Sequence, residues 1–172
     1  MIELKELTTK VLKMFDINDV SDLGTALMKN LNNKEKLCQF TEIVENNLTV
    51  DWLQQIYQYY QADRKEKKQD YTPLTLAKLV SELSNCESEK TIDMCSGTGT
   101  LTIQKWVINP NQEFLLLEID ENVIPYLLFN LVIRNITGYV YQTDILQSET
   151  KNIWKLKKGD KFSECTHIES TI

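Results

Sequence analysis

The stretch "TIDMCSGTGTLTI", Thr91 to Ile103, constrains the fold more than any other part of the chain. A short apolar strand ends at Asp93, Gly97 and Gly99 make a tight turn, and an apolar helix follows. Downstream the pattern repeats: a strand in "EFLLLEI", a helix in "ENVIPYLLFNLVIRNI" beginning near Val123 with Pro125 in its first turn, and a strand in "GYVYQTDI". Strand, helix, strand, helix, strand is the order of a doubly wound α/β sheet with right-handed crossovers. The near-continuous apolar run of "EFLLLEI" reads as a strand buried on both faces.

Upstream the texture is helical. Leu4, Leu7, Val11 and Phe15 recur at helical spacing, as do Leu37, Phe40, Val44 and Leu48, and then Leu53, Ile56, Tyr57 and Tyr60. Ser21 and Thr49 stand where helices restart and fit N-caps. The aromatic-rich "WLQQIYQYYQ" reads as the core stripe of an amphipathic helix rather than a base-stacking surface. The charged run "ADRKEKKQD" separates a helical region, residues 1–66, from an α/β region, residues 67–172. "TPLTLAKLVSEL" opens the second region as a helix, with Thr72 as N-cap, Pro73 at its first position, and Leu76, Leu79, Val80 and Leu83 on one face.

A net charge of -6 argues against a generally basic nucleic-acid coat, though Lys151, Lys155, Lys157, Lys158 and Lys161 make a basic C-terminal stretch. That stretch reads first as a solvated terminus and second as a contact for nucleic acid or an acidic partner. No apolar run is long enough for a membrane span, and the charged N-terminus lacks a signal-peptide core, so a cytoplasmic protein is expected. The four cysteines include no CxxC pair and His167 is the single histidine, so neither a metal site nor a histidine-based catalytic scheme is expected.

In such a sheet, ligands sit outside the carboxyl ends of the strands. Acidic residues fall at three successive strand ends: Asp93, Glu118 with Asp120, and Asp144. Glu118 stands 21 positions after Gly97, the offset at which a carboxylate reaches a ribose diol. An adenosine-containing ligand follows. Thr102 replaces the third glycine of a dinucleotide turn, and no Gly-Lys-Ser/Thr phosphate loop is present. Asp93 repels a pyrophosphate and favours a cation. S-adenosyl-L-methionine, with its sulfonium and ammonium, fits best. Taken singly, each acid is equally a cap or a surface carboxylate, and Pro73 an ordinary first-turn proline.

In their order these segments resemble the adenine-N6 DNA methyltransferases, of the kind found as type I modification subunits and γ-type enzymes. "DMCSGTGTL" resembles motif I, the "DYTP" that precedes it motif X, "LEID" motif II and "QTDIL" motif III. The similarity covers about residues 68–148. It implies a partial Rossmann-like methyltransferase sheet of about three parallel strands behind the N-terminal helices. It also implies that Tyr71, Thr72 and Pro73 line the methionine end of the cofactor and that Asp93 faces its amino group. Cys95, Ser96, Gly97 and Gly99 wrap it with backbone, Glu118 holds the ribose, and Ile119 packs on the adenine. Asp144, with Ile145 beside it, accepts from the adenine amino group.

The family's catalytic Asn-Pro-Pro-Tyr motif is missing. The one Asn-Pro pair, Asn109 and Pro110, precedes the second strand at the wrong end of the sheet. No catalytic residue is therefore assigned, and no clear strand is read after Ile145. The expectation is a restriction-modification type module, truncated before that motif, that binds the methyl donor without methylating DNA alone. The first strand would be left with an open flank, implying a complementing methyltransferase chain or a homodimer, with DNA reached through a partner. The other reading is a catalytically inactive regulatory protein that works through protein-protein contacts.

Overall fold

The structure is a computed structural model that describes residues 2–63, 65–66, 71–84, 90–147 and 149–168. Asp70 of the "DYTP" segment and part of the charged connector lie outside the described residues.

The N-terminal helices are α1 (Leu4–Phe15), α2 (Leu23–Lys29), α3 (Lys34–Ile43) and α4 (Trp52–Tyr60), with a short 3-10 turn at Val20–Asp22. Most of each marked stripe is buried, such as Leu7, Val11 and Phe15 on α1 and Leu53, Ile56 and Tyr57 on α4, while Tyr60 at the end of α4 is exposed. Their caps differ from the sequence expectation. Asp19 accepts from the Ser21 amide at 2.8 Å, and Asp51 accepts from the Gln54 amide at 2.8 Å. Ser21 is thus a donor to the cap, and Thr49 spends its hydroxyl on Asn47 Oδ1 at 2.7 Å. Nearby carboxylates outcompete hydroxyls as acceptors for the orphan amides.

The second region runs α5 (Leu74–Leu83), β1 (Lys90–Asp93), α6 (Thr100–Ile108), β2 (Glu113–Glu118), α7 (Ile124–Ile133), β3 (Thr137–Asp144), β4 (Glu149–Lys157) and β5 (Glu164–Ile168). Pro73, not Thr72, is the residue that caps α5. The sheet order is β1-β2-β3-β4-β5. The first three strands are parallel, as the alternation predicts; β4 and β5 then add in antiparallel fashion beyond β3. The lysine-rich tail is therefore a hairpin rather than a solvated terminus: Trp154 and Leu156 point into the core while Lys155 and Lys157 alternate outward.

Helix α7 carries the architecture. All ten of its residues are buried, as befits a helix that is apolar all round. The sheet lies on one side of it and the N-terminal helices on the other, where Phe129 meets the ring edges of Phe15 and Phe40 at 6.0 and 5.2 Å. One hydrophobic core consequently runs from Leu7 to Cys165 through helices and sheet alike.

Both crossovers advance the sheet in the same direction, so right-handedness places α6 and α7 on one face. That face buries Phe114, Leu116, Val140 and Leu156. The register puts Ile92, Leu115 and Tyr139 on the opposite face, where Ile92 is 63% exposed and Leu115, Leu117, Tyr139 and Tyr141 are only half-buried. The second strand is therefore buried on one face, against the two-faced burial its sequence predicts. Strand β1 ends the sheet, and the β4–β5 hairpin joins the far side, leaving its flank open among the described residues. Beside this, α5 packs on α6 through Ala77 and Ser81 and turns Leu76, Leu79, Val80 and Leu83 to solvent.

Candidate functional site

The turn after β1 is built on two glycines with left-handed backbone, a conformation that favours glycine. Gly97 has φ +54° and Gly99, which caps α6, has φ +98°. The turn closes through the Gly99 amide onto Ser96 O at 2.8 Å. Ser96 is itself buried, its amide on Leu117 O at 3.0 Å and its hydroxyl within reach of Asp93 O and Leu117 O. β1's turn is thereby stitched to the end of β2.

Two carboxylates flank it. Asp93 accepts from Thr102 Oγ1 at 3.0 Å and from the Cys95 amide at 3.4 Å. Burial nonetheless pushes its carboxyl above the ordinary 3.8. Glu118 accepts from the Gly97 amide at 2.7 Å on Oε2, and from the Ile119 and Asp120 amides at 3.0 and 2.9 Å on Oε1. Its pKa is also raised by burial, which outweighs those three donors. Among the described residues neither carboxylate has a cationic partner.

Tyr71 closes the other side of the turn. Its ring is 3.7 Å from where a Cβ on Gly97 would sit, and it meets Tyr57 edge to face at 5.9 Å. Burial raises its phenol well above the usual range. Thr72 follows, its carbonyl accepting from Gln54 Nε2 at 3.4 Å. Cys95 is an exposed free thiol. Ile119 is exposed beside Glu118.

A cavity of about 460 Å³ lies outside the end of β2, lined by Glu118, Ile119, Asp120, Glu121, Asn122, Gln142 and Lys151. A second, of about 690 Å³, shares Glu121 and Asn122 and runs toward Tyr57 and Tyr126. Gln142 belongs to the "QTDIL" segment and Lys151 to the lysine-rich stretch, but neither was read as lining this cavity, because Lys151 reaches it on the unforeseen β4. Asp144 and Ile145 are not part of either lining. Asp144 turns its carboxylate onto the Leu146 and Gln147 amides at 2.9 and 3.3 Å, capping the turn between β3 and β4. Thus Tyr71, Gly97 and Glu118 form one cluster, Asp93 and Cys95 border it, and Asp144 serves its own loop.

The chemistry of this donor set fits a ligand with a positive charge and a hydroxylated ring. Two desolvated carboxylates without cations welcome an ammonium or sulfonium. A carboxylate offers roughly four acceptor positions. Glu118 as it stands has one left on Oε2 for a hydroxyl, and takes a second if the Ile119 or Asp120 amide lets go.

A parallel β1-β2-β3 core, with a glycine turn after the first strand and a carboxylate after the second, defines a Rossmann-like methyltransferase module. The family model described as N-6 DNA Methylase matches residues 21–163, and the chain belongs to that family. No curated protein and no solved structure is significantly similar to it. Among the described residues, no helix is long and apolar enough to cross a membrane.

Proposed function

We propose that this chain binds S-adenosyl-L-methionine and forms the cofactor-holding half of an adenine-N6 DNA methyltransferase of restriction-modification type. The observation that carries this is the pair of half-buried carboxylates, Asp93 and Glu118, on either side of the Gly97–Gly99 turn, with no cationic partner among the described residues. Asp93 receives the ammonium, Glu118 a ribose hydroxyl, the Cys95–Gly99 backbone wraps the methionine end against Tyr71, Thr72 and Pro73, and Ile119 covers the adenine. Asp144 and Ile145 approach the adenine amino group only if the turn that Asp144 now caps opens. When bound, the cofactor would supply an electrophilic methyl for adenine N6 and be left as a thioether, with the N6 proton passing to solvent. Positioning, rather than acid-base chemistry on this chain, is what the reaction requires.

The groups that hold the target adenine come from polypeptide outside residues 1–172. No Pro-Pro pair occurs in the sequence. The flank of β1 and the sheet face beside Ile92, open among the described residues, offer the place for such polypeptide to pair. A second copy would bring the same residues and would not complete the site, so a complementing chain, through which DNA is reached, is preferred to a homodimer.

Titration calorimetry with S-adenosyl-L-methionine tests the cofactor assignment. One binding event, lost on Asp93→Ala, is expected; no heat with the unaltered protein would sink it. A methyl-transfer assay on DNA with this chain alone is expected to be negative, and turnover there would refute the need for a partner.

A further inference from the structure

Asp51 is 2% exposed and accepts four hydrogen bonds. Two come from the glycine turn: Thr98 Oγ1 at 2.7 Å and Thr100 Oγ1 at 2.9 Å, both on Oδ2. The Gln54 amide and Asn130 Nδ2 reach Oδ1, each at 2.8 Å. Asn130 Nδ2 also donates to Thr98 O at 2.9 Å, so the turn is held through both side chain and backbone. Beneath it the fully buried Arg134 donates to Asn130 Oδ1 and to the carbonyls of Leu48 and Val50, fixing the segment that carries Asp51.

Four bonds use the acceptor capacity of a carboxylate. Asp51 therefore has nothing left for a ligand and can act only through what it holds. What it holds is the pair of residues on either side of Gly99, one of two positive-φ glycines in a turn that is costly to order. The helix it caps, α4, also supports the other wall of the site: Gln54 donates to Thr72 O, and Tyr57 packs on Tyr71. Both walls thus lean on a helix from the N-terminal region.

We propose that Asp51 is a positioning residue for the S-adenosyl-L-methionine site, holding Thr98 and Thr100, and with them the Gly97 amide, in ligand-ready geometry. The inference rests on the cofactor assignment above. It makes the N-terminal helices a working part of the site rather than a neighbour of it.

Asp51→Ala removes the acceptor of four donors at once and risks failure to fold. The decisive variant is Thr98→Val, which deletes one hydroxyl and keeps the Thr100, Gln54 and Asn130 bonds. Thr41→Val is the matched control: Thr41 is equally buried and bonded, to Cys38 O at 2.8 Å, but far from the turn in sequence and on α3. Hydrogen exchange at the 97–99 amides and calorimetry with the cofactor are the readouts. Thr98→Val is expected to speed exchange and weaken binding, each about tenfold. Thr98→Ser should restore both. Thr41→Val should lower the melting temperature with neither effect. Unchanged exchange, or faster exchange with unchanged affinity, overturns the positioning role. If exchange quickens but the unaltered protein binds no cofactor, the anchor stands and the cofactor assignment falls.

Discussion

The amide of Gly97 donates to Oε2 of Glu118 at 2.7 Å, joining the turn after β1 to the end of β2. The residue proposed to hold a ribose is therefore also what shapes the turn. Glu118→Gln is expected to cost about 1–3 kcal/mol, because a side-chain amide accepts on one side only and leaves an N–H facing an N–H. Thermal denaturation checks the stability loss. Calorimetry should show cofactor affinity down at least about tenfold in the same variant.

Asp93→Asn should separate function from stability. The carboxyl is penalised by burial and has no cation beside it, so neutralising it removes a cost from the folded state. The amide still has an oxygen for Thr102 or the Cys95 amide. The melting temperature is expected to hold or rise while cofactor binding weakens by about tenfold or more. A variant that melts early and binds normally would contradict the assignment of Asp93.

The pH dependence follows in sign. Asp93 and Glu118 have folded pKa values raised above their ordinary 3.8 and 4.5. In the window above those values the folded state binds more protons than the unfolded chain. The contribution of these two groups to stability therefore increases as pH falls through the raised values, and is least favourable above them. A cationic ligand acts oppositely, since it favours the charged carboxylates. Affinity should be greatest near neutrality and decline as pH falls through the same window, with protons released on binding. Calorimetry across that range measures it, and Asp93→Asn should flatten the profile.

Two glycines should respond to alanine with opposite signs. A Cβ on Gly138 would stand 1.8 Å from Phe114 O, and its φ is +147°. Gly138→Ala is expected to cost at least about 3 kcal/mol and to break the β2–β3 pairing. Gly24 is the second residue of α2, where a Cβ would meet Tyr126 at an ordinary 3.6 Å. Gly24→Ala should stabilise by about 0.5–1 kcal/mol. Chemical denaturation of both variants settles the pair.

Much of the scaffold was legible because its signals are local. Pro125 and the apolar run after it placed α7, which begins at Ile124. Gly97 and Gly99 marked a turn whose positive φ values favour glycine. The β4–β5 hairpin was not legible, because Trp154 and Leu156 are too few apolar residues among lysines to announce a strand. Asp51 was missed for a different reason. It looks like any helix cap, and its partners lie 47, 49 and 79 residues away.

From the sequence alone come the strand and helix alternation, the glycine turn and the carboxylates at strand ends, all set by periodicity and backbone sterics within a few residues. Tertiary structure alone decided which sheet face is covered, which way the apolar stripe of α5 points, and that Asp144 caps its own turn while Asp51 holds the glycine loop. Burial and long-range hydrogen bonds depend on what the rest of the chain brings alongside. The same Leu79 spacing serves a core face or an exposed one, and only the packing of α5 on α6 through Ala77 and Ser81 turned it outward.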